Sequence, residues 1–192
     1  MSSQKEIEIK FRVDDLGALG RQLRRLGFRR VTKPTREMNT LYDLEGTPLR
    51  RRGELLRLRQ YGTAWLLTHK AKGEAGRHKT RVESETEVCD GRSMAVILRA
   101  LHFKPTFQYE KLRAEWNDGN GAVVVDETPI GNFSEIEGSP RFIERTARRL
   151  GVQPADYITA TYAELFARWK QQTKSPASVM TFAAIGKAGT RK

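Results

Sequence analysis

The sequence predicts an α+β fold, a closed eight-stranded antiparallel β-barrel with amphipathic helices packed on its outside. Three observations predict it. Period-2 alternation recurs in eight segments separated by turn residues, the pattern of half-buried strands. Four helical patterns interrupt them, each with a single apolar stripe suited to covering a sheet. The strand faces opposite the apolar ones carry charges of both signs rather than a mixed solvent face, and closing the sheet turns those rows into one polar lumen.

The strands fall at Lys5–Val13, Glu37–Asp43, Glu54–Tyr61, Ala64–Lys70, Lys79–Val88, Phe107–Trp116, Ala122–Glu127 and Asn132–Glu137. Turn chemistry at Gly62, at Asn117-Asp118-Gly119-Asn120-Gly121 and at Pro129-Ile130-Gly131 joins several as hairpins. The first helix starts at an N-cap, Asp14 or Asp15, and carries Leu16, Leu19, Leu23 and Leu26 to a stop at Gly27. A second follows Asp90-Gly91 with Met94, Ile97, Leu98 and Leu101. Ser139-Pro140 opens a third, a cap followed by proline at the first helical position, and it ends near Gly151. The last carries Tyr162, Leu165, Phe166 and Trp169.

Residues 1–173 are expected to form the body. Residues 174–192 hold Lys174, Lys187, Arg191 and Lys192 with no acidic residue and mostly small side chains, and read as a basic flexible tail. The alternative is that Val179–Ile185 docks as a short segment. One cysteine, Cys89, excludes an intrachain disulfide and suits a reducing cytoplasm. The N-terminal stretch has charges where a secretory leader needs apolar residues, and no apolar run reaches the roughly 18–20 residues of a spanning helix, so no membrane partner is expected.

The first strand shows the charge pattern most clearly: Ile7, Ile9, Phe11 and Val13 on one face, Glu6, Glu8, Lys10 and Arg12 on the other. Summed over the strands, the charged face offers Lys10, Arg12, Arg57, Arg59, Lys70, Arg81, Lys111 and Arg113, against Glu6, Glu8, Glu83, Glu85, Glu87, Asp126, Glu135 and Glu137. Eight of each sign exceeds what surface ion pairs need. Lysine and arginine suit phosphate oxygens, whereas carboxylates meet phosphate only across a hard divalent cation. Glu6, Glu8, Glu135 and Glu137 are therefore candidate metal ligands beside a polyphosphate. The net charge of +12 also raises a nucleic-acid partner, but even alternation with carboxylates argues against one.

These residues resemble a known family. Glu6-Ile-Glu8-Ile-Lys10 resembles the Glu-x-Glu-x-Lys opening of the CYTH domain, the triphosphate tunnel fold of class IV adenylyl cyclases and thiamine triphosphatases. Tyr42-Asp43, Leu56-Arg57-Leu58-Arg59, Thr68-His69-Lys70, Arg81-x-Glu83-x-Glu85, Lys111-x-Arg113, Asp126 and Gly131-Asn-Phe133-x-Glu135-Ile-Glu137 follow in the family's order, and Tyr162-Ala-Glu-Leu165 resembles its terminal helix. The resemblance implies that Glu6, Glu8 and Glu137 hold Mg²⁺ or Mn²⁺, with Asp126 and Glu135 near them as further metal candidates. It implies phosphate contacts from Lys10, Arg57, Arg59, Lys70, Lys111 and Arg113, with Lys10 also stabilising the leaving group. Arg12 and Arg81, on the same charged face, join the substrate-binding candidates, and Lys10, Lys70 and Lys111 are the catalytic candidates. The expected activity is metal-dependent hydrolysis of a triphosphate, either tripolyphosphate or a nucleoside or organic triphosphate. Two alternatives stand beside it, cyclisation of ATP and binding without turnover. Tyr42, Phe103 and Phe107 are the aromatics that could stack on a base, and a homodimer through an outer helix is possible.

Overall fold

The structure, a computed structural model, describes residues 4–74 and 76–189. Eight strands close into one antiparallel barrel: β1 (Gln4–Val13), β2 (Arg29–Asp43), β3 (Leu55–Tyr61), β4 (Ala64–Lys70), β5 (Lys79–Val88), β6 (Lys104–Asn117), β7 (Gly121–Thr128) and β8 (Gly131–Gly138). Around the barrel they run β1-β5-β4-β3-β2-β6-β7-β8. The long β2–β6 ladder extends from Arg29↔Asn117 to Asp43↔Lys104 and slips register three times. The sequence places β2 only from Glu37, because Arg29–Arg36 shows no alternation and contains Pro34. Pairing with the far half of β6 extends it, and the register shifts between Arg30 and Thr35 accommodate the proline.

Three helices pack outside the barrel as expected: α1 (Leu16–Arg25), α3 (Gly91–Ala100) and α4 (Pro140–Leu150). Their caps are Asp15 to Ala18 N–H, Asp90 to Arg92 N–H and Ser139 to Phe142 N–H. Leu19, Leu23, Phe142, Ile143 and Ala147 cover the outer face made by Ile9, Phe11, Val123, Val125 and Ile136. Gly91 lets α3 meet the sheet, since a Cβ there would lie 2.1 Å from the Trp65 ring. A four-residue helix the sequence does not reveal, α2 (Pro48–Arg51), is held by buried Asp43, whose carboxylate accepts from the N–H groups of Leu44, Leu49 and Arg50.

The C-terminal part departs from expectation. α5 (Tyr162–Thr173) does not lie on the outer surface. Its Tyr162, Leu165 and Phe166 pack on Tyr109 and Phe133, with Leu41 and Phe107 beside them, and these four strand residues belong to the lumen-facing rows. α5 therefore closes one end of the barrel. The expected free tail is corrected as well. Met180 is fully buried, its N–H donates to the Gln108 carbonyl at 3.0 Å, and its carbonyl accepts from Glu110 N–H at 2.8 Å. A sixth helix, α6 (Phe182–Gly189), follows, and Phe182 N–H donates to the Glu110 carboxylate at 3.1 Å. The physical reason is an open edge, because β7 pairs with β6 only from Leu112 onward and the backbone before it needs a partner. Lys187 falls in the last turn of α6, while Arg191 and Lys192 lie outside the described residues. Among the described residues no helix is long and apolar enough to cross a membrane.

Candidate active site: a charge-lined tunnel

Antiparallel register fixes which side chains enter the lumen. Glu8 faces Lys79 on one neighbour and Glu137 on the other, and Lys10 faces Glu135. Lys70 faces Glu83, Thr68 lies between Arg57 and Glu85, Glu37 faces Lys111, and Arg113 faces Asp126. Because side chains alternate, each pair places both members on the same inner face.

The charges form a nearly continuous belt around the wall. Lys10 lies 3.0 Å from Glu135, Glu135 2.7 Å from Arg113, Arg113 2.7 Å from Asp126, and Asp126 3.0 Å from Lys111. Lys111 lies 3.3 Å from Glu37, Glu37 3.7 Å from Arg59, and Arg59 2.9 Å from Glu85. Glu85 then meets Arg57 at 3.5 Å, Arg57 meets Glu83 at 3.6 Å, Glu83 meets Lys70 at 2.8 Å, and Lys70 meets Glu6 at 2.6 Å. Burial would raise the Glu37 carboxyl, but Lys111, Arg113 and Arg59 hold it well below the usual carboxylate range. Burial likewise disfavours charge on Lys10 and Lys70, and the carboxylates led by Glu135 and Glu6 overcome it, so both ammonium groups are raised.

The belt breaks at one place. Glu6, Glu8 and Glu137 bring carboxylate oxygens within 4.8 Å of one another. Burial, then the charges of Glu135, Glu8 and Glu6, push the Glu137 carboxyl up to about 8, so Glu137 keeps its proton near neutrality in the absence of a cation. Three hard oxygen donors in mutual repulsion fit a divalent cation. The five metal candidates thus divide. Asp126 and Glu135 lie apart from this cluster, because Lys111 and Arg113 hold the first and Lys10 and Arg113 the second.

Other candidates are placed as follows. Arg57, Arg59, Lys70, Lys111 and Arg113 all line the belt. Arg81 reaches the Gly53 carbonyl at 3.3 Å, and its buried Nε has no hydrogen-bond partner among the described residues. Arg12 is exposed at the barrel rim, its guanidinium 5.0 Å from the Phe133 ring centre and outside the belt. Tyr42 and Phe103 pack beneath α3 with Leu58 and Leu98. Phe107 packs between Tyr109 and Phe166, stacked on the first ring and tilted to the second, so each of the three aromatics belongs to a packing cluster.

Sequence reasoning missed Glu37, Lys79 and Tyr162 as site residues. Lys79 donates to Glu8 from the first position of β5. Glu37 opens the stretch read as the second strand, and its spacing with Asn39 was the available signal; Asn39 Nδ2 donates to its carboxylate at 2.9 Å. In the sequence Tyr162 reads as one member of an apolar helix stripe. It enters from α5, donates its hydroxyl to Asp126 at 2.7 Å, and presents its ring to the Lys10 and Lys111 ammonium groups at 4.3 and 5.1 Å. The lumen is most enclosed where Tyr162 enters, with the Lys111 side chain 2% exposed, and more open along β5, where that of Glu85 is 27% exposed.

Comparison with known proteins agrees with this geometry. A candidate adenylate cyclase of Methanocaldococcus jannaschii is 29% identical over 135 residues, covering 70% of this chain and 77% of that protein. A candidate adenylate cyclase of Vibrio parahaemolyticus superposes with a TM-score of 0.75 at 21% identity, covering 86% of this chain and 99% of that one. A Hippeastrum protein described as a candidate adenylyl cyclase with dominant triphosphatase activity superposes with a TM-score of 0.62 at 17% identity, covering 85% and 95%. The CYTH domain itself matches residues 4–162, and with the barrel and its inward charges in place the chain belongs to the CYTH family.

Proposed function

We propose that this CYTH protein is a divalent-metal-dependent phosphohydrolase that cleaves a triphosphate inside the tunnel. The observation that supports the reading is the lumen itself: cations suited to phosphate oxygens and a three-carboxylate cluster share one wall, while Tyr42, Phe103 and Phe107 each pack in a hydrophobic cluster. The Hippeastrum relative supports hydrolysis as a chemistry of this fold.

Glu6, Glu8 and Glu137 would hold Mg²⁺ or Mn²⁺, which supplies positive charge between carboxylates and phosphate oxygens. The protein's own groups do the rest. Arg57, Arg59, Lys70, Lys111 and Arg113 exchange carboxylate partners for phosphate oxygens and keep the chain extended along the wall. Water forms a bond to the terminal phosphorus and loses a proton to solvent as the bond to the bridging oxygen breaks, so the diphosphate departs and the phosphoryl group becomes orthophosphate. Lys10, 3.0 Å from Glu135, neutralises charge as it develops on the departing diphosphate.

The test incubates purified protein with Mg²⁺ or Mn²⁺ and, separately, tripolyphosphate, ATP and thiamine triphosphate, with products resolved by ion-exchange chromatography. Orthophosphate without cyclic AMP supports hydrolysis, and the fastest substrate names the triphosphate. Cyclic AMP with pyrophosphate would establish the class IV cyclase reading, which the names of the archaeal and Vibrio relatives favour. No product with either metal would leave a non-catalytic binding tunnel and overturn the proposal.

A further inference from the structure

Every cation of the lumen belt faces a carboxylate, so the +12 net charge of the chain does not reside in the tunnel. Much of it lies on one outer face. Five arginines fall between residues 21 and 30, and α4 adds Arg141, Arg145, Arg148 and Arg149; all nine are exposed. The two groups are neighbours. Gln22 of α1 donates to the Arg149 carbonyl at 3.0 Å, and Phe28 meets the Phe142 ring at 6.2 Å. Arg24 and Arg30 both lie over Trp116, at 5.5 and 5.8 Å from its centre. On α4 the arginines form a stripe opposite the buried Phe142, Ile143, Thr146 and Ala147. Among the described residues these nine make one ion pair, Arg21 with Asp15 at 3.9 Å. Glu144, the acid of α4, is turned to Arg77 and His78 at 3.3 and 2.9 Å.

We propose that this face, made by α1, the start of β2 and α4, binds the phosphate backbone of duplex nucleic acid without reading its sequence. Arginine forks match phosphate oxygens, and unpaired exposed cations are what counterion release rewards. The aromatic rings of this face, Trp116, Phe28 and Phe142, are buried beneath it, so it offers no platform on which single-stranded bases could stack. Its large exposed apolar side chain is Val31, whereas Val82 lies on β5, Val96 and Ile97 on α3, and Leu101 at the C-cap of α3. It therefore lacks the apolar anchors of a protein interface or a membrane-inserting helix. The expectation of no nucleic-acid partner rested on carboxylates alternating with the cations along the strands, and these nine arginines lie outside those rows.

The experiment titrates full-length protein into a labelled random duplex of about 20 base pairs and follows anisotropy between about 50 and 200 mM NaCl. Binding should weaken log-linearly with salt, by a slope of about −0.9 for each phosphate engaged. Arg145→Ala/Arg148→Ala/Arg149→Ala should weaken binding by about tenfold or more and flatten the slope by about 2 to 3, while any tripolyphosphate turnover is unchanged. Arg24→Gln/Arg25→Gln gives an independent loss should the α4 variant melt early. Saturating tripolyphosphate should not displace the duplex, and Arg59→Ala in the tunnel should bind like wild type. The proposal fails if neither outer variant weakens binding, if tripolyphosphate competes, if a single strand of equal length binds more tightly, or if no duplex binds at the lowest salt.

Discussion

At the residue scale, Glu137 is where repulsion among carboxylates is concentrated. Its carboxyl is pushed up to about 8, whereas in the unfolded chain it returns to the ordinary value near 4.5. Between those values the folded protein binds the extra proton, so this group's contribution to metal-free stability is greatest below the lower value and is lost as pH rises through 8. Cation binding needs the ionised form, so apparent metal affinity should climb with pH up to about 8 with release of a proton, measurable by calorimetry in buffers of different ionisation enthalpy. Glu137→Gln should flatten that proton release and, like Glu8→Gln, abolish turnover while the circular-dichroism melt remains cooperative. Wild-type rates in both variants would sink the metal assignment. Tyr162 acts through its neighbours. Tyr162→Phe keeps the ring under Lys10 and Lys111 but strands Asp126 without the hydroxyl, whereas Tyr162→Leu loses both contacts. The leucine variant should lower kcat about tenfold or more beyond the phenylalanine variant with smaller change in KM, which steady-state kinetics would show; equal kcat values would leave Tyr162 as packing only.

At the element scale, the staggered strands leave two edges that the C-terminal chain repairs. Ile158 N–H donates to the Lys10 carbonyl at 2.7 Å, where β1 has run past the end of β5, and Met180 does the same service for β6 before β7 begins. Met180 is also fully buried against the aromatic cluster at the closed end. Met180→Ala should cost about 2–5 kcal/mol in chemical denaturation, with exposed tail substitutions near neutral. Gly91→Ala tests the other side of the barrel. A Cβ 2.1 Å from the Trp65 ring forces α3 outward, a cost of about 1–3 kcal/mol on the same assay.

At the scale of the whole molecule, the tunnel without ligand satisfies its own cations, so a triphosphate must compete with carboxylates already in place. A divalent cation relieves that competition. Tripolyphosphate and Mg²⁺ together should therefore raise Tm more than the sum of either alone, with about 2.7 kcal/mol of stabilisation at a hundredfold excess over Kd. Additive shifts in differential scanning fluorimetry would mean that metal and phosphate bind independent sites.

What the sequence determined by itself was the inward face and its chemistry. Period-2 alternation is a local property, and once Ile7, Ile9 and Phe11 must be buried, Glu6, Glu8 and Lys10 can point only the other way. What tertiary structure decided was every relation between distant segments. Nothing local to Asp126 or Glu135 separates them from Glu6, Glu8 and Glu137; the stagger of β6, β7 and β8 sets Arg113 and the lysines against them. The polar start of β2 is a strand because β6 is long enough to pair with it, and residues 175–180 dock because that same stagger leaves an edge unpaired. The apolar stripe of α5 reads the same whether it covers the outside of a sheet or closes its end, and the aromatic residues at the end of the lumen decide for the latter. The surplus positive charge was countable from composition, but its location depended on which cations the closed barrel pairs with carboxylates and which arginines it leaves on α1 and α4.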